Sequence, residues 1–164
     1  MKKTAVLFFV LAMIGIGCNS KAKQAKQYHD TVLKLTQTVI DNSLDFSDAV
    51  QSYDKQRATK SLAQYTNLVN ETISKVEAEG NFKEDTTLRS FALEMLRFYK
   101  ETLSNDFAPF LKQVKGNSFT ESEIATADLL VTSMTMAENS YWERFNWAEK
   151  KFSKENGIEK GEDK

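Results

Sequence analysis

The stretch from residue 28 to residue 53, YHDTVLKLTQTVIDNSLDFSDAVQSY, decides how the chain folds. Tyr28, Val32, Leu35, Val39, Asn42, Phe46, Ala49 and Tyr53 follow one another in alternating steps of four and three. At about 3.6 residues per turn such positions fall on one stripe of an α-helix. Asn42 alone breaks the apolar series. A second segment repeats the rhythm with Ala58, Leu62, Tyr65, Val69, Thr72 and Val76, and Gly80-Asn81 supplies a C-terminal stop. Two amphipathic helices separated by a short turn predict a helical hairpin.

Two further helical segments follow. The third begins after Asp85, a suitable N-cap, and carries Leu88, Phe91, Met95 and Phe98 with an adjoining stripe of Ala92, Leu96, Tyr99 and Leu103. Its continuation contains the sole proline, Pro109, which lacks a backbone donor and disfavours helix at Ala108, so the third helix is expected to be kinked or broken there. Gly116-Asn117-Ser118 makes the next turn. The fourth start is specified twice: Thr120 and Glu123 fit a capping box, and Phe119 and Ile124 are spaced as a hydrophobic staple. From Ile124 the stripe runs through Ala127, Val131, Met134, Glu138, Tyr141, Phe145, Ala148 and Phe152, interrupted once, at Glu138. Four helices with short connections predict an all-α, antiparallel up-down four-helix bundle.

The N-terminus reads differently. Met1-Lys2-Lys3 is followed by uncharged residues from Thr4 to Gly17 and then by Cys18, the single cysteine of the 164-residue chain. That apolar run is short for a bilayer core of about 30 Å, so a cleaved export signal is favoured over a membrane helix. The run ending Gly15-Ile16-Gly17-Cys18 resembles a bacterial lipobox, with Gly15 standing where an aliphatic residue is usual. The resemblance implies cleavage before Cys18 and a diacylglyceryl and N-acyl lipid on it, with no other cofactor. The domains then divide as a signal peptide over 1–17, a lipidated tether over 18–26, a helical bundle over 27–152 and a disordered charged tail over 153–164. Loss of Lys2 and Lys3 leaves 20 basic against 23 acidic residues.

Composition excludes several classes of function. A chain of net charge -1 has no basic excess for nucleic acid. One cysteine cannot build a disulfide framework or a cysteine zinc site. The single histidine, His29, follows no Glu at Glu-x-x-His spacing and reads as a surface residue, so no metal site is expected. No glycine-rich phosphate loop or G-x-S-x-G turn is present, and enzymatic activity is not expected.

Two constellations remain. Asn42 and Glu138 lie midway along the first and last stripes, so antiparallel helices would bring them into one buried polar layer, with Tyr65 or Tyr99 as further members. Near the end of the fourth helix, Trp147, Lys150, Lys151 and Lys154 would face a membrane together with Lys21, Lys23 and Lys26.

The lipobox, the helix beginning Tyr28-His29-Asp30 and running from Val32 through Gln37, and the pair Phe98-Tyr99 resemble small bacterial helical surface lipoproteins, including those labelled leptospiral surface proteins. That resemblance implies an envelope location, the outer membrane where the organism has one, and brings no site residues. The function expected is a noncatalytic, membrane-tethered binding or structural module with an envelope protein as partner. The alternative is a carrier or sensor enclosing a small apolar or amphipathic ligand between the helices, in a void bordered by Phe91, Met95, Met134 and Tyr141.

Overall fold

A computed structural model describes the chain from residue 4 to residue 158, with side chains from residue 21 onward. Cys18 and the lipobox before it, like residues 159–164 of the charged tail, lie outside the described side chains.

Helix α1 spans Thr4–Val50, α2 Lys55–Glu79, α3 Thr87–Thr102, α4 Ala108–Gln113 and α5 Glu121–Glu155. A π-helical turn over Leu103–Phe107 joins α3 to α4 without a gap in the helical path. Its cause is Pro109, whose ring would clash with the carbonyl four residues earlier and which cannot donate to it. One extra residue in the turn lets Ala108 N–H donate to Leu103 O, five residues back, and the helical path continues through the proline.

Around the ring, α1 packs on α2, α2 on α3, α3 on α5 and α5 on α1, which is the up-down order of a four-helix bundle. The apolar stripes read from the sequence supply its core. Val32, Val39, Ala58, Val69, Val76, Leu88, Ala92, Met95, Leu96, Ala127, Phe145 and Phe152 are all at most 1% exposed. In the middle, Phe46 meets Phe107 edge-on at 4.8 Å and stacks on Tyr65 at 5.4 Å, while Tyr65 meets Tyr99 at 5.8 Å. Such pairs add about 0.5–1.5 kcal/mol beyond their area burial.

The ends are closed differently. At one end, the α1–α2 turn and the loop before α5 are tied by main-chain bonds, Lys55 N–H to Asn117 O at 2.8 Å and Phe119 N–H to Tyr53 O at 3.0 Å. Lys55 Nζ also donates to Val114 O. Asp54 caps α2 by accepting from Arg57 N–H at 2.8 Å, and Thr120 with Glu123 forms the expected capping box on α5. At the opposite end Tyr28 packs on Phe82 and Phe152, and its hydroxyl donates to Gly80 O at 3.0 Å. Gly80 ends α2 with φ +67°, a conformation that favours glycine. Asp85, read as the N-cap of α3, stands one residue before the Thr86 cap and accepts from Thr87 N–H at 2.6 Å.

Two expectations need correction. Residues 153–158, expected as the start of a disordered tail, are folded: Ser153 is 4% exposed, α5 runs to Glu155, and Ile158 folds back on the core. Asn156, Gly157 at φ +62° and the bond from Ile158 N–H to Ser153 O make a Schellman closure, which the charged composition concealed. His29, read as a surface residue, is 7% exposed, because α5 returns a carboxylate and Phe152 to cover it.

Candidate functional site

The seam between α1 and α5 carries most of the unusual polar chemistry. Three side-chain links cross it: His29 to Glu149, Ser43 to Glu138 and Tyr53 to Asp128. Rising numbers on α1 meet falling numbers on α5, so the helices are antiparallel.

At the first link His29 Nε2 lies 2.9 Å from Glu149 Oε1, and Nδ1 lies 3.0 Å from Asp30 Oδ1. Lys26 Nζ donates to the other Asp30 oxygen at 2.9 Å, and Ser153 Oγ donates to Glu149 Oε1 at 3.3 Å. Hydrogen bonds from Lys26 and His29 hold the Asp30 carboxyl below the usual carboxylate range. No periodicity flagged this cluster. Its two main members stand 120 residues apart, and each looks like an ordinary polar residue in its own helix.

The second link contains the expected polar layer with one member changed. Ser43 Oγ donates to Glu138 Oε2 at 3.2 Å, whereas Asn42 turns toward the α2 side and donates to Thr38 O at 2.8 Å. Asn42 and Glu138 are therefore not brought together. The α1 core stripe passes through Thr36 and Ser43, with Leu35 half-buried against the core beside it and Asn42 off it. Thr36 can be buried because its hydroxyl donates to Val32 O at 2.9 Å within the helix. Tyr65 and Tyr99 do join the layer. Tyr65 Oη donates to Val39 O at 3.0 Å, and Tyr99 Oη is buried without a well-formed hydrogen bond. Burial pushes Glu138 up from the ordinary carboxylate range, against the nearby hydroxyls of Tyr99 and Ser43, which pull it down. Burial likewise raises both tyrosines.

Between the first two links the seam opens into a surface groove of about 760 Å³. Leu33 and Trp142 give it apolar walls; Asp30, Lys34, Asp41 and Glu149 add charge, and Gln37, Thr38 and Asn146 add neutral polar groups. The carboxylates are engaged by protein groups, Asp41 by Gln37 Nε2 at 2.7 Å and the other two as described. The groove therefore offers a mixed apolar and hydrogen-bonding surface more than a bare anionic one. The residues expected to border a carrier's void are packed instead. Met95 and Met134 are at most 2% exposed in the core, Tyr141 stacks on Phe98 at 4.7 Å, and Phe91 meets Trp147 at 5.8 Å.

The basic and aromatic residues near the end of α5 lie together. Trp147 is 55% exposed and has Lys151 Nζ 5.5 Å from its ring centre, while Lys150 and Lys154 are exposed beside it. Trp147 rests against α3, and Lys21, Lys23 and Lys26 project from α1 at the same end of the bundle. Among the described residues no three His, Cys, Asp or Glu side chains converge as metal ligands, and no helix is long and apolar enough to cross a membrane. No protein-family model, curated protein or solved structure matches the chain significantly.

Proposed function

We propose that the protein is a noncatalytic module of a bacterial cell envelope, tethered by lipid on Cys18, that binds another envelope protein along the α1–α5 seam. The observation that carries the binding half is the groove beside Leu33 and Trp142, open to solvent while the core next to it is filled. A groove of this kind between two helices suits a peptide segment that offers one apolar side chain to Trp142 and backbone groups to Gln37, Thr38 and Asn146. The anchoring half rests on the lipobox resemblance of the sequence around Cys18. Two or more acyl chains hold a protein on a bilayer where one does not.

The test has two arms in cells of a lipoprotein-processing bacterium. An alkyne fatty acid should label the wild-type chain and not Cys18→Ser, which should leave the membrane fraction. A photo-crosslinker at Thr38 should give a discrete adduct that disappears with Trp142→Ala, while one at Leu44 should give none. Equal labelling of Cys18→Ser ends the anchoring proposal, and an adduct indifferent to Trp142 ends the binding proposal.

A further inference from the structure

Leu129, Met136 and Trp147 are 65%, 71% and 55% exposed, and all three stand on α5. Their spacings of seven and eleven residues place them within about 20° of one another on the helix. They form a stripe on the outward side, away from the core positions Val131, Met134 and Phe145. The two carboxylates in the middle of α5 are drawn off this stripe, Asp128 toward Tyr53 and Glu138 toward Ser43. From Ile124 to Trp142 the exposed side chains are therefore all uncharged, among them Ala125, Thr132, Ser133 and Ser140, in a chain with 27% charged residues. At about 1.5 Å per residue this neutral run is about 28 Å long.

Glu143 and Arg144 interrupt the stripe just before Trp147, with Arg144 paired to Glu94, and the charges beyond it are arranged about a centre. Glu121 precedes the run, Lys150 and Lys151 follow it, and Met136 is midway between Glu121 and Lys151. A second copy laid antiparallel across this face, with a two-fold axis beside Met136, would set each Glu121 near Lys150 and Lys151 of the other copy. Each Trp147 would cover the turn from Ala125 to Leu129, and the Met136 side chains would meet at the axis. A parallel pair would set Glu143 against Glu143 and Lys150 against Lys150. A bilayer is matched less well, because the neutral run presents no lysine or arginine along its length.

We infer that the outward face of α5 is a self-association surface, on which two copies of the chain pair antiparallel about Met136. This goes beyond the proposed tether and groove, since Trp142 and Glu149 lie on the α1 side of the same helix. A contact of one helix face is small by the standards of permanent dimers, so the pairing is expected to be reversible.

The test is oxidant-driven disulfide trapping of the full-length chain carrying Cys18→Ser, in which each introduced cysteine is the sole thiol. Met136→Cys should give at least about ten times more covalent dimer than Leu44→Cys, whose position on α1 is 69% exposed but off the face. Adding Leu129→Glu, at a position exposed enough to accept a charge without unfolding, should abolish the Met136→Cys dimer. Equal trapping at both positions, no trapping at 136, or trapping indifferent to Leu129→Glu would overturn the inference. A monomeric Met136→Cys chain whose Trp147 fluorescence is quenched by spin-labelled anionic vesicles would assign the face to lipid, and would overturn it too. With Cys18→Ser neither lipid nor a second thiol is present, so failure here is distinguishable from failure of the anchoring proposal.

Discussion

His29 Nε2 and Glu149 Oε1 stand 2.9 Å apart and join the first and last helices of the bundle across 120 residues of sequence. Both side chains are about nine-tenths buried, so the contact is little screened by water. His29→Ala withdraws a donor from a buried carboxylate and should cost about 3 kcal/mol, within the range seen when one partner of a buried pair is removed. Glu149→Gln keeps an acceptor for the ring and should cost less than half as much. Urea denaturation of the two variants measures this, and equal losses would show that packing on Phe152, not the polar contact, holds His29.

Glu138 gives a dependence on pH with a definite sign. Burial raises its pKa above the ordinary value of 4.5, so the folded chain binds this proton more tightly than the unfolded chain does. The stabilisation is present in acid and is lost as pH rises from the ordinary carboxylate range through the raised folded-state value. Glu138→Gln removes that loss. Relative to the wild type it should gain stability toward neutral pH, by less than about 1 kcal/mol because the site is half open to solvent. A difference constant with pH would contradict the assignment. Glu138→Leu should be neutral or stabilising if the layer serves only packing.

The two tyrosines of the same layer should respond oppositely to loss of the hydroxyl. Tyr65 Oη donates to Val39 O at 3.0 Å, so Tyr65→Phe removes a buried hydrogen bond and should cost about 1 kcal/mol. Tyr99 Oη is buried without a well-formed bond, so Tyr99→Phe should be neutral or stabilising by up to about 1 kcal/mol. Thermal unfolding of the pair tests this, and a destabilised Tyr99→Phe would show that Glu138 or Ser43 engages the hydroxyl in solution.

The C-terminal closure of α5 makes a fourth stability test. Gly157 has φ +62°, so Gly157→Ala should cost about 1 kcal/mol. Truncation after Phe152 removes the buried Ser153 and the contact of Ile158 with the core, and should cost about 2 kcal/mol or more. An unchanged melting temperature in the truncated chain would mean that the segment from 153 is dispensable.

Local signals carried much of the fold. Thr120 and Glu123 announced the start of α5, Gly80 the end of α2, and the steps of three and four found the core faces of α2, α3 and α5. On α1 the same rule chose Asn42 and missed Thr36 and Ser43, which the core takes beside a half-buried Leu35. Hydrophobicity could not reveal this, because Thr36 satisfies its hydroxyl inside the helix and Ser43 does so on another helix. Pro109 marked an irregularity without disclosing its form, since a π turn and a break both answer a missing donor. The candidate site was half legible: Glu138 stood out as a charge on an apolar stripe, while His29 and Glu149 acquire meaning only when antiparallel packing brings them together.

The unequal closure of the two ends gives the bundle a hinge. Beside Tyr53 and Phe119 the α1–α2 hairpin and the α3–α5 hairpin are joined by main-chain bonds that no side-chain substitution removes. Beside His29 the chain itself crosses between the hairpins in the loop from α2 to α3, while α1 and α5 meet there only through side chains, among them Glu149, Tyr28 and Phe152. A disturbance at that end can part α1 from α5 along their seam, with the loop from α2 to α3 intact and the other end still clasped. Amide hydrogens of α1 and α5 should then exchange fastest around residues 25–32 and 145–155 and slowest around 46–50 and 124–131, a gradient that follows the distance from the clasp.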